Sequence, residues 1–275
     1  MTVRRTTFPE AAITQRYVFV GGLHRSGTSL LATLLATHPD IACIHGAPVP
    51  ENEGVYLQGA IPHTALHGRP MHFATDPAQH HVEGEAHDRL ETRDRLRSDW
   101  DPWFTPGGLW RVEKSPVNLT RMRLYQQLFP TSQFVVILRH PQAVAGAVRK
   151  WNHEDLDASI DHWIAAHEQV RGDLAYLHAV LVLRYEDLLA RPAATIQALE
   201  AFLSLSPGID AAQIDGHQAS YLAERPLSAA QARASGGWGY TDGLGVSDWP
   251  GYLSHPLRAV RDAVETALRG APPGA

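Results

Sequence analysis

The chain has 275 residues, 44% of them hydrophobic, and a net charge of -5. That is enough apolar material for a core, and too little positive charge for a nucleic-acid footprint, so any anion site must be a local concentration of cations. One cysteine, Cys43, excludes an intrachain disulfide, and no run approaches the ~18 apolar residues of a membrane span.

The opening "MTVRRTTFPEAAITQRY" lacks a secretory-type apolar stretch, so the expected protein is soluble and cytoplasmic. No repeat is present, and the first dozen residues and the tail "RGAPPGA" are expected to fray. "RYVFVGG" is a short apolar strand ending in glycines. "TSLLATLLATHP" follows as a helix, with Leu30, Leu31, Leu34 and Leu35 at helical spacing and Pro39 as its stop. Residues 47–106 are rich in Pro, Gly and His and predict an irregular excursion with one helical piece around "HDRLETRDRLRSDW". "LWRVEK" is a second strand, and "NLTRMRLYQQLFP" a helix capped by Asn118 and ended by Pro130. "QFVVILRH" is a buried strand leading to a helix through "AVAGAVRKW". "DASIDHWIAAHEQVRGDLAYLH" is a long amphipathic helix, "AVLVLRYEDL" a further buried strand, and "PAATIQALEAFLSL" a helix opened by Pro192. Residues 205–252 again read as irregular.

Buried Val/Ile/Leu strands alternating with helices predict an α/β fold: a central parallel sheet flanked by helices, one domain over 14–270, with the excursion as a lid over the strand ends. Ligands bind at the carboxyl ends of such strands. Four strands end in polar sequence, "GGLHRSGTS", "VEKSP", "ILRHP" and "LRYED". The first has the outline of a nucleotide phosphate loop: Gly22, four residues, then Gly27, Thr28 and Ser29. A nucleoside triphosphatase has a lysine where Thr28 stands. Here a cation comes earlier, at Arg25, and Ser26, Gly27, Thr28 and Ser29 complete a backbone cradle at a helix start. This suits one phosphate carrying a further transferable group, without a metal.

"GGLHRSGTSLL", "EKSPVN", "LRHPQAV" and "LRYEDLLARPAATIQALEAFL" together resemble the sulfotransferases that use 3′-phosphoadenosine 5′-phosphosulfate (PAPS). The likeness spans about residues 17–205 and is nearest to the tyrosylprotein enzymes and their bacterial small-molecule relatives. It implies that Arg25, Thr28 and Ser29 hold the 5′-phosphosulfate, and that Lys114 stabilises charge on the leaving phosphate. It also implies that Arg139 binds the 3′-phosphate and that Tyr185 meets the adenine. A cation beside a departing oxygen is independently sensible chemistry, and the fork of an arginine suits a phosphate. Glu113 is expected to be the structural partner of Lys114. The family's serine eight residues after Arg139 is here Ala147, with Lys150 three residues on as a candidate substitute. The basic segment found near the C-terminus of cytosolic relatives has only a weak counterpart in Arg233 and Ser235 of "RASGGWGYTDG". Trp238 reads as core filler before adenine stacker, and Arg184, Glu186 and Asp187 as either structural ties or ligands.

Transfer to a hydroxyl needs a base. The tyrosylprotein enzymes carry a glutamate where Gly46 stands here, so that role passes to the neighbours in "CIHGAPVPENEGVYLQ". His45 and Glu53 rank level, with Glu51 behind them. Sixteen histidines, crowded at His63, His67, His72, His80, His81 and His87, raise a metal site as a rival. No cysteine cluster or HExxH accompanies them, and a polar loop around an acceptor is the simpler reading. The expectation is therefore a PAPS-dependent sulfotransferase without a metal, acting on a hydroxyl or phenol of a small-molecule acceptor, with no nucleic-acid or membrane partner. The alternatives are a P-loop kinase using ATP, or a non-catalytic nucleotide-binding module.

Overall fold

The structure is a computed structural model and describes residues 15–64, 71–151, 155–214 and 225–269. The predicted frayed start, His67 and nearly all of the final "RGAPPGA" lie outside them. In chain order the elements are β1 (Arg16–Gly21), α1 (Thr28–Leu35), β2 (Ile41–Cys43), α2 (Leu90–Trp100), β3 (Trp110–Lys114) and α3 (Met122–Leu128). Then come β4 (Gln133–Leu138), α4 (Pro141–Val148), α5 (Leu156–Leu174), β5 (Val180–Arg184), α6 (Tyr185–Ala190) and α7 (Pro192–Leu203). α8 (Ala229–Gly236), the small pair β6 (Tyr240–Thr241) and β7 (Gly245–Val246), β8 (Tyr252–Ser254) and α9 (Arg258–Arg269) complete the chain.

The sheet runs β2-β3-β1-β4-β5-β8. Its first five strands are mutually parallel, and β8 closes the far edge antiparallel to β5. The expected α/β sheet is thus present, with an antiparallel edge strand that the sequence pattern did not announce. β1 is central. Val20 pairs with Lys114 of β3 on one side and Val135 of β4 on the other, so the polar tips of β3 and β4 flank the loop after β1.

Alternation assigns each strand two buried faces. Tyr17 and Phe19 of β1, with Phe134, Val136 and Leu138 of β4, face α3, α5 and the excursion. Val18, Val20, Val135 and Ile137 face α1, α7 and α9. Trp100, wholly buried at the end of α2, docks the excursion on the first face beside Tyr17, Phe19 and Tyr125.

Three local expectations are corrected. Asn118 does not cap a helix: residues 116–120 form a 3-10 turn, α3 begins at Met122, and the Asn118 amide donates to the Val20 carbonyl and the Glu113 carboxylate. The helix after β4 starts earlier than read, at Pro141, because His140 caps it, Nδ1 accepting from the Gln142 N–H. The stretch "YEDL" is not strand: the chain turns into α6 at Tyr185, directly after β5.

Candidate active site

The loop after β1 is held tight by its floor. A Cβ on Gly22 would lie 2.5 Å from the Ile137 carbonyl oxygen, and one on Gly27 2.6 Å from the Tyr185 ring. Gly27 sits at φ 103° and Arg25 at φ 68°, left-handed conformations that tighten the turn, and the Ser26 N–H closes it on the Leu23 carbonyl at 3.0 Å. α1 then starts at Thr28, so its first-turn amides and positive dipole end face this turn. Ser26 is buried, and its hydroxyl has no hydrogen-bond partner among the described residues. An orphaned buried hydroxyl beside a helix N-terminus fits an anionic ligand group.

The other strand tips converge on this loop. Arg139, nearly buried, donates from a guanidinium nitrogen to the Arg25 carbonyl at 3.1 Å and lies 4.4 Å over the Tyr185 ring. Arg25 is exposed, its guanidinium 5.4 Å from the centre of the Trp151 ring. Ser29 donates to the Glu51 carboxylate at 3.2 Å. Lys114, buried, donates to Glu53 at 3.0 Å. A cleft of about 370 Å³ runs beside α1, lined among others by Ser29, Thr33, Cys43, His45, Glu51 and Lys114. The structure therefore brings Arg25, Ser26, Gly27, Thr28, Ser29, Arg139 and Tyr185 into one group. Lys114, Glu53, Glu51 and His45 form an adjoining one.

Glu53 is the chemically distinctive member. Burial pushes its carboxyl up to about 7 from the ordinary 4.5; Lys114 pulls the other way, and Glu113 and Glu51 add repulsion. Its backbone is clamped. The next residue, Gly54, donates its N–H to Glu113 at 2.9 Å, while its carbonyl accepts from the Trp100 indole at 2.9 Å. Glu113 is not the partner of Lys114: it points to the opposite face, wholly buried, and accepts from Gly54, Ser115 and Asn118. The hydrogen bonds satisfy a carboxyl that burial holds above its usual range. A Cβ on Gly54 would meet Glu113 Oε1 at 2.7 Å and Trp100 Nε1 at 2.8 Å. Gly54→Ala is therefore expected to cost about 1–3 kcal/mol and lower Tm by about 2–10 °C in a melting curve; an unshifted Tm would show that the clamp has slack.

The remaining candidates separate. His45 is exposed on the cleft rim, its N–H tied to the Trp103 carbonyl. Ala147 is buried in α4, and Lys150 is exposed, with its ammonium 5.3 Å from the centre of the Trp151 ring. Arg184 is buried, pairing with Asp187 at 2.7 Å and donating to the Gly239 and Ser247 carbonyls. Glu186 accepts from the His140 N–H and the Tyr240 hydroxyl. These three are structural ties. Trp238 is buried under Arg171, and Ser235 bonds within its own helix, so "RASGGWG" packs on α5. Among the described histidines, His80 pairs with Asp173 at 2.8 Å and His81 with Glu85 at 2.7 Å. His63 stands edge-on to Tyr56, His87 edge-on to His81, and His72 opens a 3-10 turn. No group of three or more potential ligands gathers as a metal site among the described residues.

Sequence reasoning missed the wall above the loop. The His24 ring lies 5.7 Å from Phe73 and 6.3 Å from Trp151, centroid to centroid. The signal available was Trp151, a large aromatic closing "AVAGAVRKW" that emerges 44% exposed.

A family model described as the sulfotransferase family matches residues 17–207. A Caenorhabditis briggsae protein named "Putative protein-tyrosine sulfotransferase" is 23% identical over 211 residues, 70% of this chain. The match takes in 66% of that relative, just under two thirds of its length. Among solved structures, a sulfotransferase domain from the curacin biosynthetic pathway superposes with TM-score 0.50 at 16% identity, covering 82% of this chain and 98% of that one. A sulfotransferase from Mycobacterium avium gives TM-score 0.50 at 13% identity, covering 82% and 76%. Both share the fold.

Proposed function

The chain belongs to the sulfotransferase family, and on that premise we propose that it transfers the sulfuryl group of PAPS to a hydroxyl or phenol oxygen in a single in-line step. PAPS would supply an activated sulfuryl group on one 5′-phosphate, which is why the loop has no place for a triphosphatase lysine. The observation that carries this reading is the meeting of Arg139 with the Arg25 backbone at one loop, with Lys114 at the tip of the neighbouring strand and a buried Ser26 hydroxyl that lacks a partner among the described residues.

The residues divide the work. The Thr28 and Ser29 amides and the helix dipole hold the 5′-phosphate. Arg139, fixed by the Arg25 carbonyl and the Tyr185 ring, takes the 3′-phosphate as a bidentate cation. Arg25 and Lys114 offset charge on either side of the transferring group. As the acceptor oxygen bonds to sulfur, the sulfur–oxygen bond to the phosphate breaks and its electron pair stays on the phosphate. The acceptor proton passes to a base. Glu53 fits that role, because a carboxyl at about 7 is half ionised near neutral pH and strong enough to take a proton. The excursion that carries Glu53 acts as the acceptor-side lid of a single domain spanning 14–270. We read the acceptor as a small cytoplasmic metabolite, consistent with a chain holding one cysteine. Among the described residues no helix is long and apolar enough to cross a membrane.

The test is a melting comparison of adenosine 3′,5′-bisphosphate, AMP and magnesium-ATP, since a ligand that binds the folded state raises Tm by mass action. The bisphosphate is expected to shift Tm most, and Arg139→Ala to erase its advantage over AMP. A larger shift with magnesium-ATP would replace this reading with a kinase. Tight bisphosphate binding with no sulfate transfer to any acceptor would replace it with a binding module.

A further inference from the structure

His24 stands between the Gly22 turn and Arg25. Its Nδ1 accepts from the Met71 N–H at 3.3 Å. An amide donor fixes Nδ1 as the unprotonated nitrogen and places the proton on Nε2. Among the described residues nothing accepts from Nε2, and that atom is not sealed in the interior. The ring is held on three sides: Phe73 packs beside it, Trp151 stands edge-on, and Met71 anchors it. Met71 is itself held, its carbonyl bonded to His162 Nε2 at 2.9 Å. Trp151 also lies beneath the Arg25 guanidinium, so His24 and Arg25 share one wall. Lys114 is near enough for its charge to bear on the imidazole. Burial, aided by Lys114, takes the imidazole down to about 4, so it stays neutral.

The ring is thus a neutral donor, rigidly held next to Arg25 in the loop that is proposed to meet the donor nucleotide. We propose that His24 Nε2–H is a hydrogen-bond donor to the sulfuryl oxygens of the bound donor nucleotide. It complements the two cations without adding a third charge that the product would retain. This rests on the proposed PAPS reading and deepens it: the loop carries a recognition element for the sulfuryl group itself, separate from those for the two phosphates.

The experiment compares the affinities of PAPS and adenosine 3′,5′-bisphosphate by titration calorimetry in three proteins, since only the first ligand carries the sulfuryl group. His24→Asn keeps an acceptor near the Nδ1 position for the Met71 amide and removes the Nε2 donor. His24→Gln extends a donor toward the Nε2 position and gives up that acceptor. The PAPS-to-bisphosphate affinity ratio is expected to fall about tenfold in His24→Asn and to recover in part in His24→Gln, with bisphosphate affinity close to wild type in both. An unchanged ratio in His24→Asn overturns the assignment, as does an equal loss of both ligands in the two variants, which would mark a purely structural ring. Wild-type protein that binds neither nucleotide overturns the PAPS reading as well, and so separates the two failures.

Discussion

Lys114→Ala is expected to lower turnover by about 10²–10³-fold while leaving affinity for adenosine 3′,5′-bisphosphate nearly unchanged, because a cation beside a departing oxygen acts mainly when the bond breaks. The readout is release of the bisphosphate, the product common to every acceptor, so the acceptor need not be identified first; a simple phenol such as p-nitrophenol serves. The variant has a second expected signature. Lys114 is the group that pulls the Glu53 carboxyl down, through charge and a hydrogen bond of 3.0 Å. Without it the acid limb of the pH–rate profile moves to higher pH. Full turnover in Lys114→Ala, or loss of bisphosphate binding to the same degree as turnover, would remove Lys114 from the reacting end of the site.

Glu53→Gln is expected to cost about 10²–10⁴-fold in turnover. The wild-type rate should rise with pH through about 7, where Glu53 loses its proton and becomes a base, and this limb should vanish in the variant. Folding stability runs in the opposite sense. The folded carboxyl holds its proton more firmly than the unfolded one at 4.5, so its contribution is complete below 4.5 and is lost as pH rises through about 7. Activity and stability therefore trade against each other across neutrality, and paired melting and rate curves check both. His45→Asn is the matched control on the cleft rim. If it abolished the limb while Glu53→Gln kept it, the proton would go to the imidazole.

The strand tips were legible because each signal was local. A buried apolar run ending in Gly, Lys, Arg or Tyr announces its own carboxyl end, and a parallel sheet brings such ends to one edge. Tyr185 and Arg139 meet for that reason alone. What escaped the sequence was long-range. Asn118 looked like a helix cap by its neighbours but reaches Val20, 98 residues away. Glu113 looked like the partner of the adjacent Lys114, yet strand alternation sends the two to opposite faces. One finds Gly54 at a separation of 59 residues and the other Glu53 at 61. β2 and β8 have three residues each, too few for any periodicity to show. Glu53 could be shortlisted with His45 and Glu51, but only its burial beside Lys114 distinguishes it, and burial is a property of the assembled chain.

Ile137 is wholly interior, yet its carbonyl bounds Gly22 and its side chain would touch a methyl placed on Gly27 at 3.4 Å. The bed on which a nucleotide would rest is thus the upper surface of the hydrophobic layer, with no cushion between them. Ligand grip and interior packing are mechanically one, so a silent-looking trim of that isoleucine, far from any charged group, would be sensed by the guest as readily as by the host.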